Sequence, residues 1–133
     1  MKLSENFTLE ELTATNSKFD NDPSQNELDA LKLLVSKVLQ PLRNLYGKPI
    51  KVNSGFRSVD VNKAVGGVNN SQHLKGEAAD ITSGADNKLL FNLIRNNLTF
   101  DQLIWEKGNA LNPQWIHVSF KKYGNRKQIL YIK

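Results

Sequence analysis

The chain contains two histidines, His73 and His117, and no cysteine. A neutral imidazole offers a nitrogen lone pair near physiological pH, so each histidine can serve as a metal ligand or a proton carrier. Their surroundings narrow the choice. His73 lies in Ser71-Gln72-His73-Leu74-Lys75-Gly76, a polar, turn-rich stretch that leads directly into Ala78-Ala79-Asp80-Ile81-Thr82. The second stretch reads as a buried strand, where a carboxylate is costly unless it is paired or bound to a metal. His117 sits in another apolar strand, Trp115-Ile116-His117-Val118-Ser119. Two imidazoles and a carboxylate make an open three-ligand set of the kind zinc takes, with a fourth position for water. Without cysteine, histidine and carboxylate are what the chain has to build a zinc site.

Several elements must position these residues. Thr8-Leu9-Glu10-Glu11 has the spacing of a capping box and predicts a short helix to about Thr13. Ser24 and Glu27 repeat it and open a longer helix, with Leu28, Leu31, Val35, Val38, Leu42 and Leu45 at helical spacing. Pro41 should kink or end that helix, because proline has no amide donor. A strand follows at Pro49 to Asn53, and a short helix from Ser58 to Val65 stops at Gly66-Gly67. Val68 to Lys75 reads as loop. Asn87 to Asn96 should form a second substantial helix. Three strands are expected at Gln102 to Trp105, Trp115 to Phe120 and Gln128 to Ile132, the last two joined by a hairpin-like turn at Tyr123-Gly124-Asn125-Arg126. Helices mainly first and antiparallel strands mainly last predict an α+β fold, with N-terminal helices packed on a mainly antiparallel sheet.

A length of 133 residues suits one domain over 1–133, with enough apolar surface to fold without staples. The net charge of +5 favours an anionic partner such as a negatively charged cell wall. The lysines and arginines are scattered, apart from Lys121, Lys122, Arg126 and Lys127, and no nucleic-acid module accompanies them. No nucleic-acid partner is expected. No apolar run approaches the roughly 18 residues of a membrane span, and Met1 to Asn6 lacks the apolar core of a signal peptide. The expectation is a monomer made in the cytoplasm, without membrane insertion, that reaches any outside substrate after release or export by another factor.

Three segments carry a family resemblance, in order. Ser71-x-His73-x-x-Gly76-x-Ala78-x-Asp80 resembles the first metal motif of the D-alanyl-D-alanine carboxypeptidase and L-alanyl-D-glutamate endopeptidase superfamily, and Trp115-x-His117 resembles its second. Asn53-Ser54-Gly55-Phe56-Arg57-Ser58, followed by Val65-Gly66-Gly67, is similar to the segment upstream. The likeness runs from about Ser4 to Phe120 and is nearest to the short, endolysin-like members encoded by phages and prophages.

The resemblance implies the hedgehog/DD-peptidase fold and Zn2+ held by His73, Asp80 and His117. It implies hydrolysis of the stem peptide of bacterial peptidoglycan, as carboxypeptidase or endopeptidase. Arg57 matches the arginine that binds substrate or steadies the developing oxyanion, a role suited to a permanently charged fork of donors. Ser71 and Gln72 are candidates to contact substrate or to orient His73. The chain departs from a common family pattern at Gln114, where many relatives carry a catalytic acid. Glu106, at the end of Leu103-Ile104-Trp105, is the nearest alternative general base. Asp101 is a weaker candidate, and Glu77 is expected to face solvent. Hedgehog-type relatives supply a rival reading, a non-catalytic binding module stabilised by zinc.

Overall fold

Both capping boxes form, and they start the helices that the sequence marks. The Thr8 hydroxyl accepts from the Glu11 N–H at 3.2 Å, while the Glu11 carboxylate accepts from the Thr8 N–H at 2.9 Å. Ser24 and Glu27 make the same reciprocal pair. The computed structural model describes residues 1–133. Its helices are α1 (Leu9–Leu12), α2 (Gln25–Leu34), α3 (Gln40–Tyr46), α4 (Val59–Ala64) and α5 (Asn87–Asn97). Pro41 does not end the long helix. The turn before it, Val35–Leu39, widens to π geometry, and the Gln40 N–H reaches back five residues to the Val35 carbonyl. The widened turn accommodates the missing proline donor, so α2 and α3 continue one another. No helix is long and apolar enough to cross a membrane.

Five strands form one sheet in the order β1-β2-β4-β3-β5. They are β1 (Lys51–Ser54), β2 (Ala78–Thr82), β3 (Gln102–Glu106), β4 (Trp115–Ser119) and β5 (Gln128–Ile132). Alternation along each strand divides the sheet into two faces of different chemistry. Ala79, Ile81, Leu103, Ile116 and Val118 join Leu31, Leu34, Val38, Leu42, Phe91 and Ile94 in the hydrophobic core, with Trp105 and Ile129 packed against it. The residues between them, Asp80, His117, Ile104 and Glu106, point the other way, into a cleft. The fold is α+β, as expected, and the sheet is mostly antiparallel.

The expected hairpin between the last two strands does not form. β5 pairs instead with β3, in parallel, from Gln102↔Gln128 to Glu106↔Ile132. Two causes act together. β4 already has β2 on one edge and β3 on the other, so no edge remains for β5. Asp101 then fixes where β5 starts. Its fully buried carboxylate accepts from the Arg126 backbone N–H at 3.2 Å and from Nε and Nη2 of the same residue at 2.9 Å each. The Asp101 carbonyl accepts from the Gln128 N–H at 2.9 Å, which sets the first rung of the parallel pair.

The hydrogen bonds from Arg126 hold the Asp101 carboxyl below the usual carboxylate range, although its burial opposes this. A depressed folded-state value adds stability above the unfolded value, about 3.9, and that stability fades as pH falls through the folded value. Asp101→Asn should therefore cost about 1–3 kcal/mol at neutral pH. Urea denaturation across a pH series should show the deficit shrinking below about pH 4. A deficit independent of pH would assign Asp101 a packing role alone.

Candidate metal centre and active-site cleft

Three neighbouring strands set out the centre as a row. Asp80 of β2 pairs directly with His117 of β4, which pairs on its other side with Ile104 of β3. Glu106 and Trp115, paired with one another, lie one step along the same face. His73 arrives from outside the sheet, on the 3₁₀ turn Gln72–Lys75. The Ser71 hydroxyl caps that turn by accepting from the His73 N–H at 3.2 Å. Gly76 closes it at φ +72°, where a Cβ would stand 2.4 Å from the Glu27 carbonyl oxygen. Glycine is required there on both counts.

The hydrogen bonds around the two imidazoles assign their tautomers. Nδ1 of His73 lies 2.7 Å from the Gly55 carbonyl oxygen and must donate to it, which leaves the lone pair on Nε2. Nε2 of His117 lies 3.0 Å from Oε1 of Gln72. The Gln72 amide nitrogen donates to Asp101 at 2.8 Å, so this side chain can present only its oxygen to His117. His117 therefore carries its proton on Nε2 and its lone pair on Nδ1. Both lone pairs face the same carboxylate, with His73 Nε2 at 3.3 Å from Asp80 Oδ2 and His117 Nδ1 at 3.1 Å from Oδ1. Acceptors facing acceptors repel unless a cation or proton sits among them.

Donor atoms of all three residues lie within 4.8 Å of one another. Two imidazole nitrogens and a carboxylate, with the outer nitrogens already hydrogen-bonded, suit zinc and leave a coordination position open. Burial disfavours charge on Asp80, but a proton carried by His117 or His73 toward it outweighs that and holds the carboxyl well below its usual range. The ligand is thus kept as an anion.

The cleft above the row measures about 930 Å³ and is lined by Arg57, Ser71, Gln72, Glu106 and the three ligand residues, among others. Arg57 uses three of its five N–H groups: Nε donates to Ser54 Oγ at 2.9 Å, Nη1 to Asn62 Oδ1 at 3.3 Å and Nη2 to Asp80 Oδ2 at 3.3 Å. Gly55 fits beneath because a Cβ would lie 2.3 Å from the Leu12 carbonyl oxygen, so α1 packs directly on this backbone. Burial, and then the negative charge of Asp80, push the Glu106 carboxyl up from its ordinary value. Asp101 faces Arg126 and Gln72 rather than the ligands. Glu77 is half-buried on the cleft wall rather than free in solvent. Gln114 is exposed and off the cleft, its N–H paired to the Glu106 carbonyl at 2.9 Å.

Sequence reading missed Ser54 and Asn62, the two neutral partners of Arg57. Asn62 is buried, and its amide nitrogen donates to the Val68 carbonyl at 2.9 Å. An asparagine in a short polar helix carries no signal that would single it out.

A buried histidine–aspartate cluster on the polar face of an α+β sheet, with a coordination position left open, defines a site that can hold a metal ion. Residues 5–119 match the family model described as Peptidase M15, and the chain belongs to that family. It is also 44% identical over 82 residues to the zinc D-Ala-D-Ala carboxypeptidase of Streptomyces albus G. The matched stretch is 60% of this chain and 32% of that protein, so the chain spans about a third of the relative's length.

Elemental analysis should find about one zinc per chain, the stoichiometry of a single three-ligand centre. His73→Ala, Asp80→Ala and His117→Ala should each lose most of it; full zinc in any two would remove the assignment. Gln72→Leu keeps all three ligands but frees the outer nitrogen of His117. It should weaken zinc about 10- to 100-fold in chelator competition, as loss of an outer hydrogen-bond partner does.

Proposed function

We propose that this chain is a zinc peptidase that hydrolyses a peptide bond in the stem or cross-link peptide of bacterial peptidoglycan, with His73, Asp80 and His117 as the metal ligands. The observation that carries the reading is the place of Glu106. It shares the sheet face of Asp80 and His117, lines the same cleft and has a carboxyl pushed up from its ordinary value by burial and then by Asp80. A zinc-stabilised binding module needs no such carboxylate beside its ligands. An enzyme does.

When bound, zinc supplies Lewis acidity that polarises a carbonyl and draws the pKa of water toward about 7. The protein's own groups do the remaining work. Glu106 accepts a proton from the attacking water as the new C–O bond forms. It then delivers that proton to the amide nitrogen as the C–N bond breaks. Arg57 donates toward the oxygen on which negative charge develops, through an N–H its present bonds do not use. Ser71 shapes the turn that presents His73 and lies at the cleft wall, where a peptide backbone can reach it. Gln72 lines the same wall, with its amide committed to His117 and Asp101.

The name of the Streptomyces relative favours release of a terminal D-alanine; internal, endolysin-like cleavage is the other form of the same chemistry. Incubation of purified peptidoglycan with the protein, with and without a chelator, separates them by product mass. Free alanine marks the carboxypeptidase and larger stem fragments the endopeptidase. Chelator-insensitive release, or none at all, would overturn the reading.

Glu106→Gln should bind zinc normally and lose at least about a hundredfold in rate, the lower bound for removing a general base. Parental rates in a zinc-replete protein would dismiss the role. Arg57→Ala should lower turnover about ten- to a thousandfold, as for loss of an oxyanion donor, and Arg57→Lys should restore only part of it. An unchanged rate in Arg57→Ala would leave that arginine a structural brace for Asp80.

A further inference from the structure

A second cavity, of about 670 Å³, lies on the opposite face of the sheet from the metal centre, between α5 and the end of β5. Lys88, Asn92 and Arg95, at helical spacing on α5, form one wall, and Trp105 of β3 and Tyr131 of β5 line the sheet side. The two rings stand 5.8 Å apart at 42° and rest on Phe91, which is buried. Tyr131 is 60% exposed, so the aromatic layer of the core surfaces here. Lys107 adds another cation to the rim, and no aspartate or glutamate lines the cavity. Lys88, Arg95 and Lys107 have no carboxylate within 4.0 Å. Lys107 and Ile132 also line the catalytic cleft. The two depressions therefore meet at the turn after β3, where Lys107 (φ +54°) and Gly108 (φ +69°) reverse the chain.

The geometry points to this groove as a second binding site, for a glycan carrying acidic peptides: the peptidoglycan strand whose stem peptide occupies the cleft. Flat aromatic faces accept the apolar faces of sugar rings, and unpaired cations attract the carboxylates carried along the strand. A neutral peptide would leave the cations unused, and an apolar one would have to desolvate them. The shared lip at Lys107 lets one strand pass from cleft to groove, giving the enzyme a hold on an insoluble substrate beyond the scissile bond. The inference rests on the peptidoglycan substrate proposed above.

The test uses zinc-loaded protein and sacculi stripped of covalently attached phosphate polymers by hydrofluoric acid, with co-sedimentation read in the cold over a protein titration. A soluble stem pentapeptide reports the cleft separately. Lys88→Glu/Arg95→Glu should bind stripped sacculi about tenfold more weakly, a 1.4 kcal/mol change. It should cleave the soluble peptide at the parental rate, and parental binding should weaken with added salt. Tyr131→Ala, which leaves every charge in place, should weaken sedimentation at an unchanged peptide rate. Undiminished sedimentation of the charge-reversed protein would overturn the proposal. So would parental binding that disappears on stripping, which would make a phosphate polymer the occupant. If the parent cleaves neither substrate yet sediments in a Lys88- and Arg95-dependent way, the groove stands and the peptidase reading falls.

Discussion

Asp80 is a carboxylate placed where a carboxylate should not be. It lies in the middle of a strand whose neighbours Ala79 and Ile81 are fully buried, and it is held ionised there. The groups around it leave much of that charge uncompensated. Arg57 supplies a cation, but at 3.3 Å and from one side. The two imidazoles present lone pairs rather than hydrogens, because Gly55 and Gln72 have claimed the opposite nitrogens. The protein thus builds an anion ringed by acceptors, and a divalent cation is what completes it. Metal affinity is in this sense a property of the hydrogen bonds outside the ligands.

Those outer bonds lead back into the fold. Gln72 is oriented by Asp101, and Asp101 is held by Arg126, which begins the return to β5. One buried carboxylate therefore sets both the register of an edge strand and the tautomer of a metal ligand. A chain of polar groups of this kind is stable only when every member is satisfied. Here Asp101 accepts from Gln72 and from Arg126 through its backbone and side chain. Structural and functional roles cannot be separated at this residue, because Oδ2 accepts from both Gln72 and Arg126.

The parts of the molecule visible in the sequence are those with local causes. Capping boxes, helical periodicity and the apolar strands around Asp80 and His117 are encoded within a few residues of where they act. The strand at Gln102–Glu106 and the helix at Asn87–Asn97 follow from their own patterns for the same reason. Strand order is not local. Tyr123-Gly124-Asn125-Arg126 has the composition of a hairpin turn, yet whether β5 can pair with β4 depends on β4's edges being free. Nothing within that segment reports that β2 and β3 have taken both. The π turn before Pro41 was hidden similarly: proline announces a missing donor, not how the helix will absorb it. Of the site, the two histidines and Asp80 were legible through scarcity and setting. Asn62 and Ser54 were not, since their importance exists only relative to Arg57.

Alternation along β3 explains how so small a domain can hold a core and a reactive centre in one sheet. Trp105 and Glu106 are adjacent in sequence and point to opposite faces, one onto Phe91 and the other into the cleft beside Asp80. The separation between a dry apolar layer and an ionised row is thus a single sheet's thickness. That closeness has an energetic consequence. A sheet facing apolar helices is poorly hydrated from behind, so charges on its other face are screened from one side only, and the charge on Asp80 reaches Glu106. Glu106 is pushed up by burial and then by the charge on Asp80, while Lys107 pulls the other way. The general-base role proposed for Glu106 calls for such opposing influences, so that neither protonation state is locked in. The apolar face of the sheet is in this way part of the chemistry on the other side.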